Sequence, residues 1–240
     1  MIRRHAFNST WWGGDVGIVV DDALFELDPK ERERTLAAWQ WVERRDNLDP
    51  SMTLRLAPMG FLQMDTQLGF RIGLTKLEGT PSVDRLDVEY ADESAFHLNA
   101  EQLPDFRHER FLMLPGATPE RVNRRYALWA EELIAKHPET CLRISDAGEV
   151  QGWFLSRRLE RGLELTLAML HRDAHISGHG LYLRALLAYR ARGFRVGSAS
   201  FSVSNTAVHG IYGALGARFL PPQGCWLWTP EWGRSASSHS

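Results

Sequence analysis

A mixed α/β fold is predicted by three features of the 240-residue chain. Short runs alternate apolar and polar residues with the period of a strand, and longer stretches space apolar residues as on one helix face. The two kinds of segment are interleaved, and one junction carries a loop with two glycines. Hydrophobic residues make up 44% and charged residues 24%, which places the chain among folded proteins able to bury a core without disulfides.

Taken in order, Val16 to Val20 is β-branched and predicts a strand. Asp28-Pro29 then opens a helix, with Pro at its first position, Glu31 and Glu33 near its positive end, and Leu36, Trp39 or Ala37, and Trp41 with Val42 as its apolar stripe. Alternation predicts strands over residues 52–57 and 61–75, interrupted at Pro58-Met59-Gly60 and Gly69. "EGTPSVD", residues 78–84, clusters turn formers between patterned regions and predicts a linker. This divides the chain into a smaller N-terminal α/β domain (1–80), a larger domain (81–232) and a polar tail, "GRSASSHS" (233–240), expected to be flexible.

After the linker, "RLDVEY" predicts a strand leading into a short helix capped by Asp92. Thr118-Pro119 opens a longer helix in which Val122, Tyr126, Trp129, Ala130 and Leu133 keep helical spacing until Pro138 stops it. Residues 140–170 read as an antiparallel meander turned at Asp146-Ala147-Gly148 and Glu160-Arg161-Gly162. A helix to about Arg192, the strand "RVGSASFSV", a helix from Asn205 to Leu215 and a last strand pair around "ARFLPPQGCWLWTP" complete the chain.

Composition narrows the function. A net charge of −2 provides no broad basic field, which argues against nucleic acid as a partner. Cys141 and Cys225 lie far apart without metal-site spacing and read as buried thiols suited to a reducing cytoplasm. "MIRRHAFNSTWWGG" lacks an apolar core of signal-peptide length, and no run of eighteen apolar residues occurs, so neither export nor a membrane span is expected.

"HRDAHISGHGLYLRALLAYRARG", residues 171–193, carries the chemistry. On one continuous helix His171, His175 and His179 would stack as metal ligands. The preceding strand and the two glycines oppose that continuity, so no metal site is expected. The alternative is an anion loop: a strand ends near Leu170, Gly178 and Gly180 follow, and an apolar helix begins. Unpaired N–H groups and the positive end of the helix dipole would then face a phosphate. Leu183 stands where a dinucleotide fingerprint needs its third glycine, and no Walker lysine occurs. A plain structural turn remains open on these residues alone.

"HISGHG", residues 175–180, followed by a helix, a strand and "NTAVHGIYGALGARF", residues 205–219, resembles the GNAT superfamily of acyl-CoA-dependent N-acetyltransferases. Their loop reads Gln/Arg-x-x-Gly-x-Gly/Ala and their later segment N-x-x-A-x-x-hydrophobic-Tyr-x-x-x-Gly-Phe. Here His175 replaces Gln or Arg, Ala207 stands one position early, Ala217 follows Gly216, and the aromatic is displaced to Phe219. "FNSTWWG", residues 7–13, "LAPMGF", residues 56–61, Arg110-Phe111 and "YALW", residues 126–129, are similar to motifs of two-domain members of the dTDP-fucosamine acetyltransferase type, although acidic and aromatic positions of the first motif are changed to Thr10, Trp11 and Trp12.

The resemblance implies a mixed central sheet splayed at an acyl-CoA cleft, with a partial unit of the same kind at the N-terminus. It implies that acetyl-CoA, with no metal, pairs its pantetheine arm with main chain at Met169 and Leu170. Its pyrophosphate would lie on the loop His175, Ile176, Ser177, Gly178, His179, Gly180 and Leu181, centred on the amides of Ser177 to Leu181. Asn205 would hold the pantetheine arm and Tyr212 would protonate the departing thiolate. The implied activity is acetyl transfer to the primary amine of a small molecule, an amino sugar or nucleotide amino sugar among them, by a monomer or homodimer. Two other readings stay open: an acyl-CoA-binding module without turnover, and a protein or peptide N-acetyltransferase. Glu164 and His171 lie close enough in sequence to be candidate bases, but neither is assigned.

Overall fold

The computed structural model describes residues 1–237. Its order is β1 (Ile2–Arg4), α1 (Ala6–Trp12), β2 (Val16–Val19), α2 (Ala23–Glu26), α3 (Pro29–Ala37), β3 (Trp41–Asn47), α4 (Pro50–Leu56), β4 (Leu62–Gly73), α5 (Pro81–Asp84), β5 (Asp87–Tyr90), α6 (Pro119–Lys136), β6 (Cys141–Asp146), β7 (Glu149–Leu159), β8 (Gly162–Leu170), α7 (Gly178–Ala191), β9 (Val196–Ser202), α8 (Thr206–Ala214), β10 (Arg218–Trp228) and α9 (Pro230–Ser237). These elements form two compact units. One comprises Met1–Gln67, Met113–Pro115 and residues from Pro221 onward; the other comprises Leu68–Leu112 and Gly116–Leu220.

In the first unit β1 runs antiparallel to β2, β2 parallel to β3, and β3 antiparallel to β10 from Val42–Trp228 to Asn47–Gln223. Strand β3 therefore has partners on both edges. That explains why the helix expected to continue through Trp41 and Val42 instead ends at Ala37: helical spacing fits these residues, but two neighbouring strands satisfy their main chain. Val42 joins Val19, Leu24, Leu36, Leu56, Phe61, Trp226 and Trp228 in one core, while Trp11, Trp12 and Trp41 meet edge to face.

The strand expected over 52–57 is helix α4. Asp49 accepts a hydrogen bond from the Ser51 N–H and Pro50 occupies the first turn, so the capping signal outweighs the apparent alternation of Met52, Leu54 and Leu56. Burial agrees, with Leu56 enclosed and Leu54 76% exposed. At the other end of the chain a single strand, β10, replaces the predicted pair despite Pro221 and Pro222.

The second unit carries the sheet order β5-β6-β7-β8-β9, continued beyond β9 by β4. Strands β6 to β8 form the predicted antiparallel meander, β5 adds to it antiparallel to β6, and β9 lies parallel to β8. Ala147 and Gly148 turn the β6–β7 hairpin with φ of 49° and 85°, the left-handed values that a two-residue loop of this kind requires. Leu142, Ile144 and Phe154 face a core built with α7. Their chain neighbours Cys141, Trp153 and Leu155 face a second core built with α6, as strand alternation dictates. Both cysteines are buried thiols outside any disulfide. Helix α7 is buried on nearly every side, from Leu181 to Tyr189.

The boundary expected at residue 80 differs from the division at Gln67–Leu68. Phe70, Ile72 and Leu74 belong to the core of the second unit, so the turn-rich segment 78–84 lies inside that unit and contains the short helix α5. Asp92 lies in a turn after β5, not at the cap of a helix. Residues 233–237 of the expected tail belong to helix α9, and 238–240 lie outside the described residues. No described helix is long and apolar enough to cross a membrane.

Candidate functional site

The pairing on both edges of β8 changes at the same place. Its register with β7 shifts between Leu155 and Arg157, so an extra β8 residue is accommodated opposite Ser156. Such a bulge bends the strand that carries it. Strand β8 pairs with β9 at Leu163–Gly197 and Glu164–Ser198, and no further ladder pair joins them among the described residues. From Leu165 onward the strands part, leaving one edge of β8 open. The bulge also exchanges faces: Leu163 and Leu165 enter the core with α7, whereas Leu167 and Met169 enter the core with α6.

The predicted main-chain contacts divide at this edge. The His171 N–H donates to the Gln151 carbonyl at 2.8 Å, so two residues earlier Met169 also turns its N–H and C=O toward β7, opposite Trp153. Leu170 and Ala168 turn theirs toward the parted edge.

Beyond Leu170 the chain forms a loop and enters α7. Ser177 is the N-cap: its hydroxyl accepts from the Gly180 N–H at 3.1 Å, and its carbonyl accepts from the Leu181 N–H at 3.1 Å. Two of the predicted anion-binding amides are thereby spent inside the helix start. Ser177, Gly178 and His179 keep N–H groups without an acceptor among the described residues, at the positive end of a 14-residue helix. A Cβ on Gly178 would stand 3.2 Å from Ile211 Cδ1 of α8, a close contact at the end of that side chain. The loop and the Asn/Tyr segment are thus neighbours.

Two residues that sequence reasoning missed fix this loop from the β6–β7 hairpin. Gln151 Oε1 accepts from the His175 and Ile176 N–H groups at 3.0 and 3.4 Å. Asp146 sits between His175 Nε2 at 3.1 Å and the Arg85 guanidinium at 2.9 Å. Neither forms a local motif with residues 175–180; the fold brings them there.

In the later segment Asn205 caps α8, its Oδ1 accepting from the Val208 N–H at 3.2 Å. Its side-chain N–H groups make no hydrogen bond to a described residue. Tyr212 is 3% exposed, and its ring lies 3.8 Å from that of Phe70, 5.2 Å from Tyr182 and 6.1 Å from Phe201, centroid to centroid. Burial, reinforced by the neighbouring Tyr182 and Tyr189, pushes its phenol well above the usual tyrosine value. The displaced Phe219 still reaches the same core, packing against Phe201 and stacking on His209. Phe70 comes from β4, far back in the chain, and no pattern near Tyr212 announces it.

The three histidines do not share a helix face. His171 follows β8 with its ring 5.7 Å from Trp153, His175 lies in the loop, and His179 is exposed in the first turn of α7. Among the described residues no group of three or more His, Cys, Asp or Glu side chains is placed to hold a metal ion. Glu164 is engaged by the Arg157 guanidinium.

A sheet that parts beside a capped glycine loop can be compared with solved structures. The fold is that of the GCN5-related N-acetyltransferases. One such protein, from Sphaerobacter thermophilus, superposes with a TM-score of 0.52 at 16% identity, covering 79% of this chain and 60% of its own. A tandem GNAT protein from the clavulanic acid biosynthesis pathway gives 0.51 at 14% identity, covering 83% and 68%. A GCN5-related glucosamine N-acetyltransferase region of a fungal multi-domain β-N-acetylglucosaminidase gives 0.54 at 9% identity, covering 80% of this chain and 26% of that one. The chain therefore spans three-fifths of the Sphaerobacter protein's length. No protein-family model and no curated protein sequence matches it.

Proposed function

We propose that the chain is an N-acetyltransferase that moves an acetyl group from acetyl-CoA to the primary amine of a small molecule, with amino sugars as the first class to test. The observation that carries this reading is the parting of β8 and β9 beside a helix start whose Ser177, Gly178 and His179 N–H groups are uncommitted. These groups suit a pyrophosphate, and the open main chain of Ala168 and Leu170 suits the amides of a pantetheine arm. The Asn205 side-chain N–H groups supply a further donor. Acetyl-CoA, when bound, supplies an acyl carbon activated as a thioester.

Tyr212 supplies the proton. As the amine nitrogen bonds to the acyl carbon and the carbon–sulfur bond breaks, the phenol donates to the thiolate, and the proton lost by the amine leaves through solvent or a base. Burial keeps Tyr212 protonated through the neutral range, as a donor must be. The fold likeness supports the donor half of the reading, and the glucosamine-acetylating region among the compared structures motivates the acceptor class. Partial motif similarity in residues 7–13 and 56–61 supports a two-domain enzyme of the dTDP-fucosamine acetyltransferase type.

Calorimetry with acetyl-CoA, followed by a thiol-release assay over amino sugars, amino acids and polyamines, tests the proposal. Absence of acetyl-CoA binding overturns it. A second reading, an acyl-CoA-binding module without turnover, is favoured by Glu164 being held by Arg157 and so not free to act as a base. Binding without acetylation of any amine in the panel would decide for that reading.

A further inference from the structure

Gln151 is 1% exposed and lies on β7, away from every motif in the sequence. It grips both ends of the loop that leads to α7. Its main-chain carbonyl takes the His171 N–H at 2.8 Å, where the loop begins. Its side-chain oxygen takes the N–H groups of His175 at 3.0 Å and Ile176 at 3.4 Å, where the loop ends. Its side-chain amide is itself held, donating to the Glu149 carbonyl at 3.2 Å, so the rotamer is fixed. Next to it, a Cβ on Gly152 would lie 2.4 Å from the Met169 carbonyl oxygen and 3.0 Å from Leu181 Cδ1. The strand thus meets β8 and the first turn of α7 at contact distance beside Gln151.

Two successive N–H groups accepted by one buried oxygen fix the chain direction just before the cap. Ser177 then enters with φ −74° and ψ 152°, and the next donors, on Ser177, Gly178 and His179, are left without an acceptor among the described residues. Unheld, residues 175 and 176 would have to be ordered at the moment an anion binds, and affinity would fall by that cost.

We infer that Gln151 is a positioning residue for the donor site: through Oε1 it holds His175 and Ile176 so that the Ser177–His179 amides are preset for the pyrophosphate of a nucleotide-bearing thioester. The inference rests on the donor reading above, and it assigns Gln151 no contact with the ligand.

The test compares CoA with pantetheine, which shares the thiol arm and lacks the pyrophosphate. In the Gln151→Leu variant, which keeps the side-chain volume and loses the acceptor, calorimetric affinity for CoA should fall about tenfold, while that for pantetheine changes less than about twofold. Equal losses for both ligands, or no loss for CoA, overturn the inference. Should the variant not fold, amide hydrogen exchange in the unliganded wild type decides. His175 and Ile176 should exchange slowly, and Ser177 to His179 quickly until CoA is added. Fast exchange at 175 and 176 overturns the positioning role. A wild type that binds neither CoA nor acetyl-CoA overturns the donor reading itself, an outcome distinct from a failure of Gln151 alone.

Discussion

Tyr212 is the residue on which turnover should depend while binding does not. The Phe variant keeps the ring against Phe70, Tyr182 and Phe201 and removes only the hydroxyl. Turnover should fall by about 10²–10⁴-fold with acetyl-CoA affinity unchanged, read from steady-state kinetics beside calorimetry. Loss of affinity in parallel would mean that Tyr212 serves packing alone. Ser177 has a different signature. Its hydroxyl satisfies the Gly180 N–H, so Ser177→Ala should destabilise the fold by about 0.5–2 kcal/mol in denaturant melts, and an unchanged midpoint would refute the cap. The two glycines before α7 and the helix of the Asn/Tyr segment were legible in the sequence because each is a local pattern, whereas the Ser177 cap was not singled out. Gln151, Asp146 and Phe70 were not, because their part in the site arises from strand pairing with no trace in neighbouring residues.

At the scale of elements, legibility followed how far local signals agreed with the pairing available. Helix α6 and the β6–β8 meander had caps, turns and periodicity all pointing one way. Strand β3 did not: Leu36, Trp39, Trp41 and Val42 fit a helical stripe, and only β2 and β10 on either side make a strand of the last two. The short helix α4 shows the reverse error, in which the Asp49-Pro50 cap was the better guide than alternation. The approach of β7 to β8 and α7 rests on Gly152. An added methyl there meets the Met169 carbonyl, so Gly152→Ala should cost about 1–3 kcal/mol by thermal or chemical denaturation. A neutral outcome would mean that β8 yields freely at that point.

For the molecule as a whole, alkaline stability is set by groups that burial keeps neutral. Burial pushes the Cys141 thiol from about 9 up to about 12, and the Tyr90 phenol from about 10 up to about 12. With the folded values raised, the unfolded chain loses these protons first. Their contribution is therefore complete below about pH 9 and is lost as pH climbs toward 12. Melting temperature should decline across that interval, and Cys141→Ala should blunt the decline at its lower end; a flat profile to pH 11.5 would refute the linkage.

The division of the chain also bears on the order in which it can mature. The core of the first unit joins Val19, Leu24 and Phe61 to Trp226 and Trp228, and β3 waits for β10 to complete its edge. At the ribosome, where residues are added at about 5–20 per second, the amino-terminal strands therefore spend on the order of ten seconds or more without their carboxy-terminal partners. The residues of the second unit, 68–112 and 116–220, are all polymerised before Trp226 is. Released chains ending before Cys225 should yield a protease-resistant fragment from the middle of the sequence and a digestible amino-terminal arm. Resistance of that arm in chains that lack Trp226 would show that it folds without its last strand.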